Sequence, residues 1–238
     1  MGGLEVELER ARSLSVEGIA DAIESIGFEC TRCGECCTAE TAPSGETEPH
    51  TATVFPDEIR TVQVAAADEG AYDWQDVARP MPYGLEDGIG AASGETFEWA
   101  LQTDACGDCA FYDEADDGTG ACTVHEDRPL ICRTYPFSIG PLDAVGDDSE
   151  APDPMGGGVV DRRGDVRAHE CEGLGRDISR AEARELAAAL KERTVRELEE
   201  AIGVRDSYEP TDASGVVVHD SEGQKRPDGT AVSGDSDR

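Results

Sequence analysis

Apolar residues recur at helical spacing near both ends of the chain. In the first segment they are Leu4, Leu8, Ala11, Val16, Ile19, Ala20, Ile23 and Ile26. Gly27 follows them as a stop signal, so a helix is predicted over 4–27. Near the other end, Ser179 and Glu182 form a capping-box pattern before a run of alanine and leucine, which predicts a helix over 179–202.

The middle of the chain predicts short strands and loops. Strands are expected at 53–55, 97–101 and 121–124, and in a hairpin of 159–160 with 166–167. Pro56 opens a helix to about residue 67. Segments 70–95 and 141–158, rich in Gly and Pro, are expected to be surface connections. The predicted fold class is therefore α+β: a small, irregular, cysteine-rich domain with short strands and flanking helices.

Four segments follow from this pattern. Residues 1–28 form an N-terminal helical segment, 29–175 a cysteine-cluster domain and 176–204 a C-terminal helix. The tail at 205–238 is dominated by Asp, Ser, Gly and Thr, with Val216–Val218 as its apolar run. Such a composition predicts a disordered acidic tail.

Charge narrows the range of partners. The chain has 53 acidic and 20 basic residues, a net charge of −33, which repels a phosphate backbone or an anionic membrane. We therefore expect neither a nucleic-acid nor a membrane partner. Lys191 and Lys225 are the only lysines, a pattern that we interpret as adaptation to high salt. No signal peptide or apolar run of about 18 residues is found, so we expect a cytoplasmic protein without structural disulfides.

Nine cysteines carry the candidate chemistry. Two clusters contain CxxC pairs, which place two thiolates on one tight turn. All nine are predicted metal ligands: Cys30, Cys33, Cys36, Cys37, Cys106, Cys109, Cys122, Cys132 and Cys171. Thiolates select zinc, copper(I) or iron–sulfur clusters over calcium and magnesium. A mononuclear site or a cluster uses four cysteines, so eight could fill two sites and leave one over.

Residues beside the cysteines are expected to tune such a site. The side chains of Cys36 and Cys37 are expected to diverge, so that only one of them joins Cys30 and Cys33. Gly34 and Gly107 would let backbone N–H groups turn toward sulfur, and the nearby cations are Arg32, Arg128 and Arg133. A histidine at position 125 could be a ligand, but the many nearby thiolates and a strand-like setting favour a packing or hydrogen-bonding role. His169, two residues before Cys171, is a candidate ligand.

The segment from Cys122 to Phe137, CTVHEDRPLICRTYPF, resembles the signature of the YkgJ-like CxxCxxCC cysteine-cluster family. The family pattern is C-x-hydrophobic-aromatic-x2-RP-x2-CR-x-[YF]-P-[FL], and the resemblance covers about residues 28–172. His125 departs from it, where the family more often has tyrosine. The family is described as zinc- or iron-chelating, which implies metal binding. Flagellin lysine-N-methylases look similar around their cysteine cluster.

Three functions are compatible with these observations. The first is a protein that holds an iron–sulfur cluster of unknown type, or iron, with a redox role, a protein redox partner and oxidoreductase activity. The second is a structural zinc domain that serves as an interaction module. The third, implied by the resemblance, is methyl transfer to protein lysine. Neither lysine follows a glycine, so no GxxxxGK[ST] nucleotide-binding motif exists.

Overall fold

The computed structural model describes residues 3–41, 45, 47–65, 72–87, 92–140, 158–211 and 213–232. In these residues the α-helices α1 to α6 are Leu4–Ser13, Val16–Ile26, Pro56–Ala65, Trp74–Val77, Leu130–Thr134 and Arg180–Ser207. Strands β1 to β7 are Glu40–Thr41, Thr47–Glu48, Thr53–Val54, Ala78–Pro80, Leu85–Asp87, Ala92–Thr96 and Trp99–Leu101. Strands β8 to β14 are Tyr112–Glu114, Gly120–Cys122, Phe137–Ile139, Val159–Arg163, Val166–His169, Val216–Asp220 and Gly223–Lys225. A short 3-10 helix spans His125–Asp127.

The chain divides into two compact units. The first unit comprises Met1–Cys33 and Leu130–Glu199. The second comprises Gly34–Pro129 and Glu200–Arg238. The predicted α+β class is confirmed, because helices and short strands occur together in both units.

The first unit packs helices against a three-stranded antiparallel sheet of order β10-β12-β11. The apolar stripe of α2 faces this core because its isoleucines recur at three- and four-residue spacing. The core contains Ile19, Ala20, Ile23, Ile26, Phe137, Val166, Ala168, Ala183, Ala187 and Leu190. The hairpin predicted around residue 164 is present as β11 and β12.

The helix expected over 4–27 is two helices. α1 ends at Ser13, and Leu14 takes extended angles before the Ser15 side chain accepts a hydrogen bond from the Gly18 N–H at 3.2 Å. A serine in that position begins a new helix because it satisfies an unpaired N–H group. The capping box that begins α6 forms as predicted, with the Glu182 N–H donating to Ser179 Oγ at 3.3 Å.

The second unit contains several small sheets. In one, β7 lies between β3 and β4, and it buries Trp99, Ala100 and Leu101. In another, of order β14-β13-β6-β5, β13 pairs in parallel with β6. The predicted turn after Tyr112 joins β8 and β9.

Two expectations differ from the structure in this unit. Segment 70–95 is not simply a surface connection, since it contains α4, β4, β5 and most of β6. Segment 205–238 is not simply disordered, because β13 and β14 lie within it. Val217 and Val218 are fully buried there, and Lys225 Nζ pairs with buried Asp220 at 2.7 Å. Pairing with the distant β6 supplies the burial that the tail lacks in its own sequence.

The predicted loop at 141–158 lies outside the described residues except for Gly158. In the described part of the chain, no helix is both long enough and apolar enough to cross a membrane.

Candidate metal centre

The nine cysteines divide between the two units. Cys30, Cys33, Cys132 and Cys171 belong to the first unit. The other five, Cys36, Cys37, Cys106, Cys109 and Cys122, belong to the second. The boundary falls between Cys33 and Gly34, so each unit has at least the four thiols that one metal site uses.

In the second unit, a tight turn positions Cys36 and Cys37, which we call the vicinal pair. Gly34 takes a φ of +84°, which a side chain would strain, and its carbonyl accepts the Cys37 N–H at 2.7 Å. A Cβ at Gly34 would also lie 2.2 Å from the Tyr112 hydroxyl. The two sulfur atoms of the vicinal pair are 3.8 Å apart. Their side chains therefore converge, and the expectation that they diverge is wrong.

The turn at residues 106–109, which we call the CGDC turn, is hydrogen-bonded to the backbone of the vicinal pair. The Asp104 carboxylate accepts the N–H groups of Cys106 at 2.8 Å and of Asp108 at 3.0 Å. Gly107 has a φ of +91°, as expected for a tight turn. The Cys109 N–H then donates to the Cys37 carbonyl at 2.8 Å. Asp104 was not among the predicted site residues, although an Asp two residues before a turn is a known signal.

Cys122 comes from β9, directly opposite Tyr112 of β8. Electrostatic interactions link Cys109 to both Cys122 and Cys36, and link Cys122 to Cys36. We therefore treat Cys36, Cys37, Cys109 and Cys122 of the second unit as one candidate cluster. Cys106 is exposed.

This cluster disfavours thiolate charge. The pKa of Cys36 is raised well above its usual range, first by the hydrogen bond with Cys37 and then by burial. Burial raises the pKa of Cys109 to about 11, and it also raises the pKa of Cys122. The Arg128 charge acts in the opposite direction on Cys36 and Cys122. Several thiolates in this cluster would therefore need a bound cation.

In the first unit, backbone pairing brings the Cys30 and Cys171 segments together. Phe28 and Leu174 form an antiparallel bridge, and the Glu29 N–H donates to the Gly173 carbonyl at 3.0 Å. The Gly173 N–H lies 3.4 Å from the Cys171 sulfur and donates to it.

Cys132 lies on the short helix α5, which a buried arginine of α6 holds. Arg193 Nη1 donates to Thr134 Oγ1 at 3.1 Å and to the Phe137 carbonyl at 3.4 Å. Arg193 Nε donates to Glu197 at 2.7 Å. Arg193 was not among the predicted site residues, because the apolar spacing of its helix predicts only an amphipathic packing helix.

The donor set fits a soft metal, but it is not fully assembled. Two sulfur ligands of one tetrahedral zinc ion lie about 3.8 Å apart, because each Zn–S bond is about 2.3 Å long. The vicinal pair has this separation. Across the described residues, however, no three His, Cys, Asp or Glu side chains already stand in an arrangement that could hold an ion.

The histidines have other roles. His125 lies in the 3-10 helix and not in a strand, with an exposed ring and a carbonyl that accepts from Arg128 Nε at 3.0 Å. His169 is buried, and its Nε2 lies 2.9 Å from Ser138 Oγ. Burial and then the nearby Arg79 charge lower the pKa of His50 to about 4, so this ring is neutral at pH 7. The His50 backbone N–H donates to the Gly107 carbonyl at 2.8 Å, which fixes His50 beside the CGDC turn.

Fold and cysteine content together define a class of protein: an α+β protein with two groups of cysteines, whose thiols are the ligands that a soft metal prefers. A family model, CxxCxxCC, described as "Putative zinc- or iron-chelating domain", matches residues 29–172. The chain belongs to this family, which confirms the resemblance drawn from the CTVHEDRPLICRTYPF segment. No curated protein and no solved structure matches the chain. The family supports binding of zinc or iron, and its match includes every cysteine and ends before α6.

Proposed function

We propose that the protein binds zinc or iron through Cys36, Cys37, Cys109 and Cys122 of the second unit. The observation that carries this proposal is the 3.8 Å separation of the sulfur atoms of the vicinal pair. Two thiols at this distance can share one metal ion, whereas two thiolates without a cation would repel each other. Bound metal would supply the positive charge that the raised thiol pKa values call for.

The vicinal pair also bears on the kind of centre. In a cubane cluster four cysteines serve four irons, so each iron takes a single cysteine. Two sulfur atoms on one metal instead suit a mononuclear ion, or a two-iron cluster in which each iron takes two cysteines. A single Zn²⁺ or Fe²⁺ ion is our first proposal, and a two-iron cluster with a redox role is the second.

Arg128 has a defined place in this proposal. Four thiolates around a divalent ion leave a net charge of about −2, and the surrounding chain is itself acidic. The Arg128 charge acts on both Cys36 and Cys122, and its Nε is held by the His125 carbonyl. We propose that Arg128 offsets the charge of the loaded site.

Metal analysis of anaerobically purified protein tests the proposal. We expect Cys37→Ser to lose the ion bound at the second unit, because serine removes one sulfur of the vicinal pair. Cys106→Ser is the matched control, since Cys106 is a cysteine of the same unit that is not among the four proposed ligands. X-ray absorption at the zinc or iron edge should report sulfur ligands at about 2.3 Å. Metal-free protein, or equal metal loss in both variants, would contradict the proposed ligands.

Measurements on the same samples distinguish a structural zinc site from a redox-active iron site. A colourless protein with stoichiometric zinc indicates the structural role, and reducible iron with visible absorbance indicates the redox role. Binding of S-adenosylmethionine would be needed for the lysine methylation that the family resemblance implies.

A further inference from the structure

We propose that the first unit holds a second thiolate metal site, built from Cys30, Cys33, Cys132 and Cys171. The inference rests on the proposed function for the choice of ion, Zn²⁺ or Fe²⁺, and on nothing else in it. The four cysteines belong to one compact unit, and four is the number of ligands that a closed zinc site takes. The protein would therefore bind two ions, one in each unit.

The first step is the approach of Cys30 to Cys171. Phe28 and Leu174 form an antiparallel bridge, and next to it the Glu29 N–H donates to the Gly173 carbonyl. Thr31 Oγ1 then donates to a Glu172 carboxylate oxygen at 3.3 Å. Hydrogen bonds on both sides of Cys30 therefore hold its segment against the residues next to Cys171.

Gly173 allows this approach and supports the sulfur. A Cβ at Gly173 would lie 2.3 Å from the Glu29 carbonyl oxygen, so a larger residue could not keep the two segments together. The Gly173 N–H donates to the Cys171 sulfur at 3.4 Å. Hydrogen bonds of this kind favour the thiolate form and orient a sulfur ligand.

The turn from Cys30 to Cys33 carries a strained residue. Arg32 has a φ of +60°, and it is the only residue other than glycine among those described with a positive φ. A left-handed conformation is unfavourable for a residue with a side chain, because its Cβ comes too close to the following carbonyl oxygen. Such strain persists where the surroundings require one backbone path, often at binding sites.

The residues that follow Cys132 contact the segments that carry Cys30 and Cys171. The Tyr135 hydroxyl donates to the Glu170 carbonyl, next to Cys171. Phe137 packs edge-on against Phe28 with ring centroids 5.7 Å apart. The three segments that carry the four cysteines are thus tied to one another by bonds within the first unit.

The test counts zinc ions on the full chain after anaerobic reconstitution, by mass spectrometry of the metal and protein quantification. We expect two ions for the unchanged protein and for Cys106→Ser. Cys132→Ser/Cys171→Ser and Cys109→Ser/Cys122→Ser should each bind one. One ion in the unchanged protein, lost in both double variants, would mean a single shared site and would overturn the inference.

Different results would overturn the proposed site of the second unit and the proposed site of the first unit. If only Cys132→Ser/Cys171→Ser loses an ion, the second site stands and the ligands proposed in the second unit are wrong. If only Cys109→Ser/Cys122→Ser loses one, the second site is wrong. Alkylation of the unchanged protein avoids misfolding of the variants. Zinc should protect the four thiols of the first unit as well as those of the second, and equal labelling of Cys30, Cys33, Cys132 and Cys171 with and without zinc would overturn the inference.

Discussion

At the residue scale, the vicinal pair is the most informative feature of the cysteine clusters. Adjacent residues normally point apart, yet the turn after Gly34 brings two sulfur atoms to 3.8 Å. The hydrogen bond with Cys37 is the largest of the effects that raise the pKa of Cys36, followed by burial. The geometry and the charge both point to a shared cation.

Gly34→Ala should destabilise the loaded protein and weaken its metal affinity. Its φ of +84° alone costs a residue with a Cβ roughly 1–2 kcal/mol, and the Cβ would also meet Tyr112 at 2.2 Å. Gly118→Ala is a matched control, with a φ of +81° but no heavy atom within 4 Å of its Cβ. Urea unfolding gives the stability of both variants, and a competition titration with a zinc chelator gives the affinity.

Only Gly34→Ala should lose metal affinity. Equal losses of stability in the two variants, with unchanged affinity in both, would show that the contact with Tyr112 has no part in shaping the site.

The cysteines themselves could be predicted from sequence, but their grouping could not. CxxC spacing and the segment around Cys132 identify all nine as candidate metal ligands, because such ligands can be recognised from residue type and spacing. The division between Cys33 and Gly34 depends on long-range packing. Nothing local to the sequence CTRCGECC indicates that its halves belong to different units.

At the element scale, local signals and non-local pairing account for what was and was not predicted. The capping box at Ser179 predicts the start of α6 because the signal lies within four residues. β13 was missed because its partner β6 lies more than 100 residues away in the sequence. Parallel pairing of distant segments leaves no periodic trace that a short window can detect.

Arg193→Met should destabilise the first unit through α5. Arg193 is buried, and its bonds to Thr134 and the Phe137 carbonyl fix the end of the helix that carries Cys132. Hydrogen bonds to a charged group contribute about 1.5–3 kcal/mol each in net terms, and we expect a loss in this range. Urea unfolding gives the free energy, and hydrogen exchange of residues 130–137 gives the local effect.

Arg184→Met is the control on the same helix. Arg184 is 55% exposed and pairs with Glu17, and exposed ion pairs contribute about 0–1 kcal/mol. Similar losses in the two variants, or unchanged exchange near Cys132 in Arg193→Met, would contradict the role given to Arg193.

At the scale of the whole molecule, one short segment serves both units. Residues 30–37 provide two cysteines to the first unit and two to the second. If both proposed sites are loaded, metal in each unit would fix one end of this segment. Metal removal should then loosen both units, since bound ions commonly contribute folding free energy.

Net charge gives the last prediction: salt should stabilise this protein. A charge of −33 in 238 residues repels itself, and raising NaCl from about 0.1 M to about 1 M shortens the screening length from about 10 Å to about 3 Å. Screening also weakens the three ion pairs that Arg180 forms with Glu17, Asp21 and Glu24 at 2.6–2.7 Å. Exposed pairs contribute only about 0–1 kcal/mol each, so relief of repulsion should dominate. Thermal unfolding at pH 7 and constant metal concentration should show Tm rising with NaCl. The rise should be steeper in Arg180→Gln, because this variant lacks the three ion pairs that salt would weaken. A Tm that falls with salt in the unchanged protein would mean that the ion pairs outweigh the net charge.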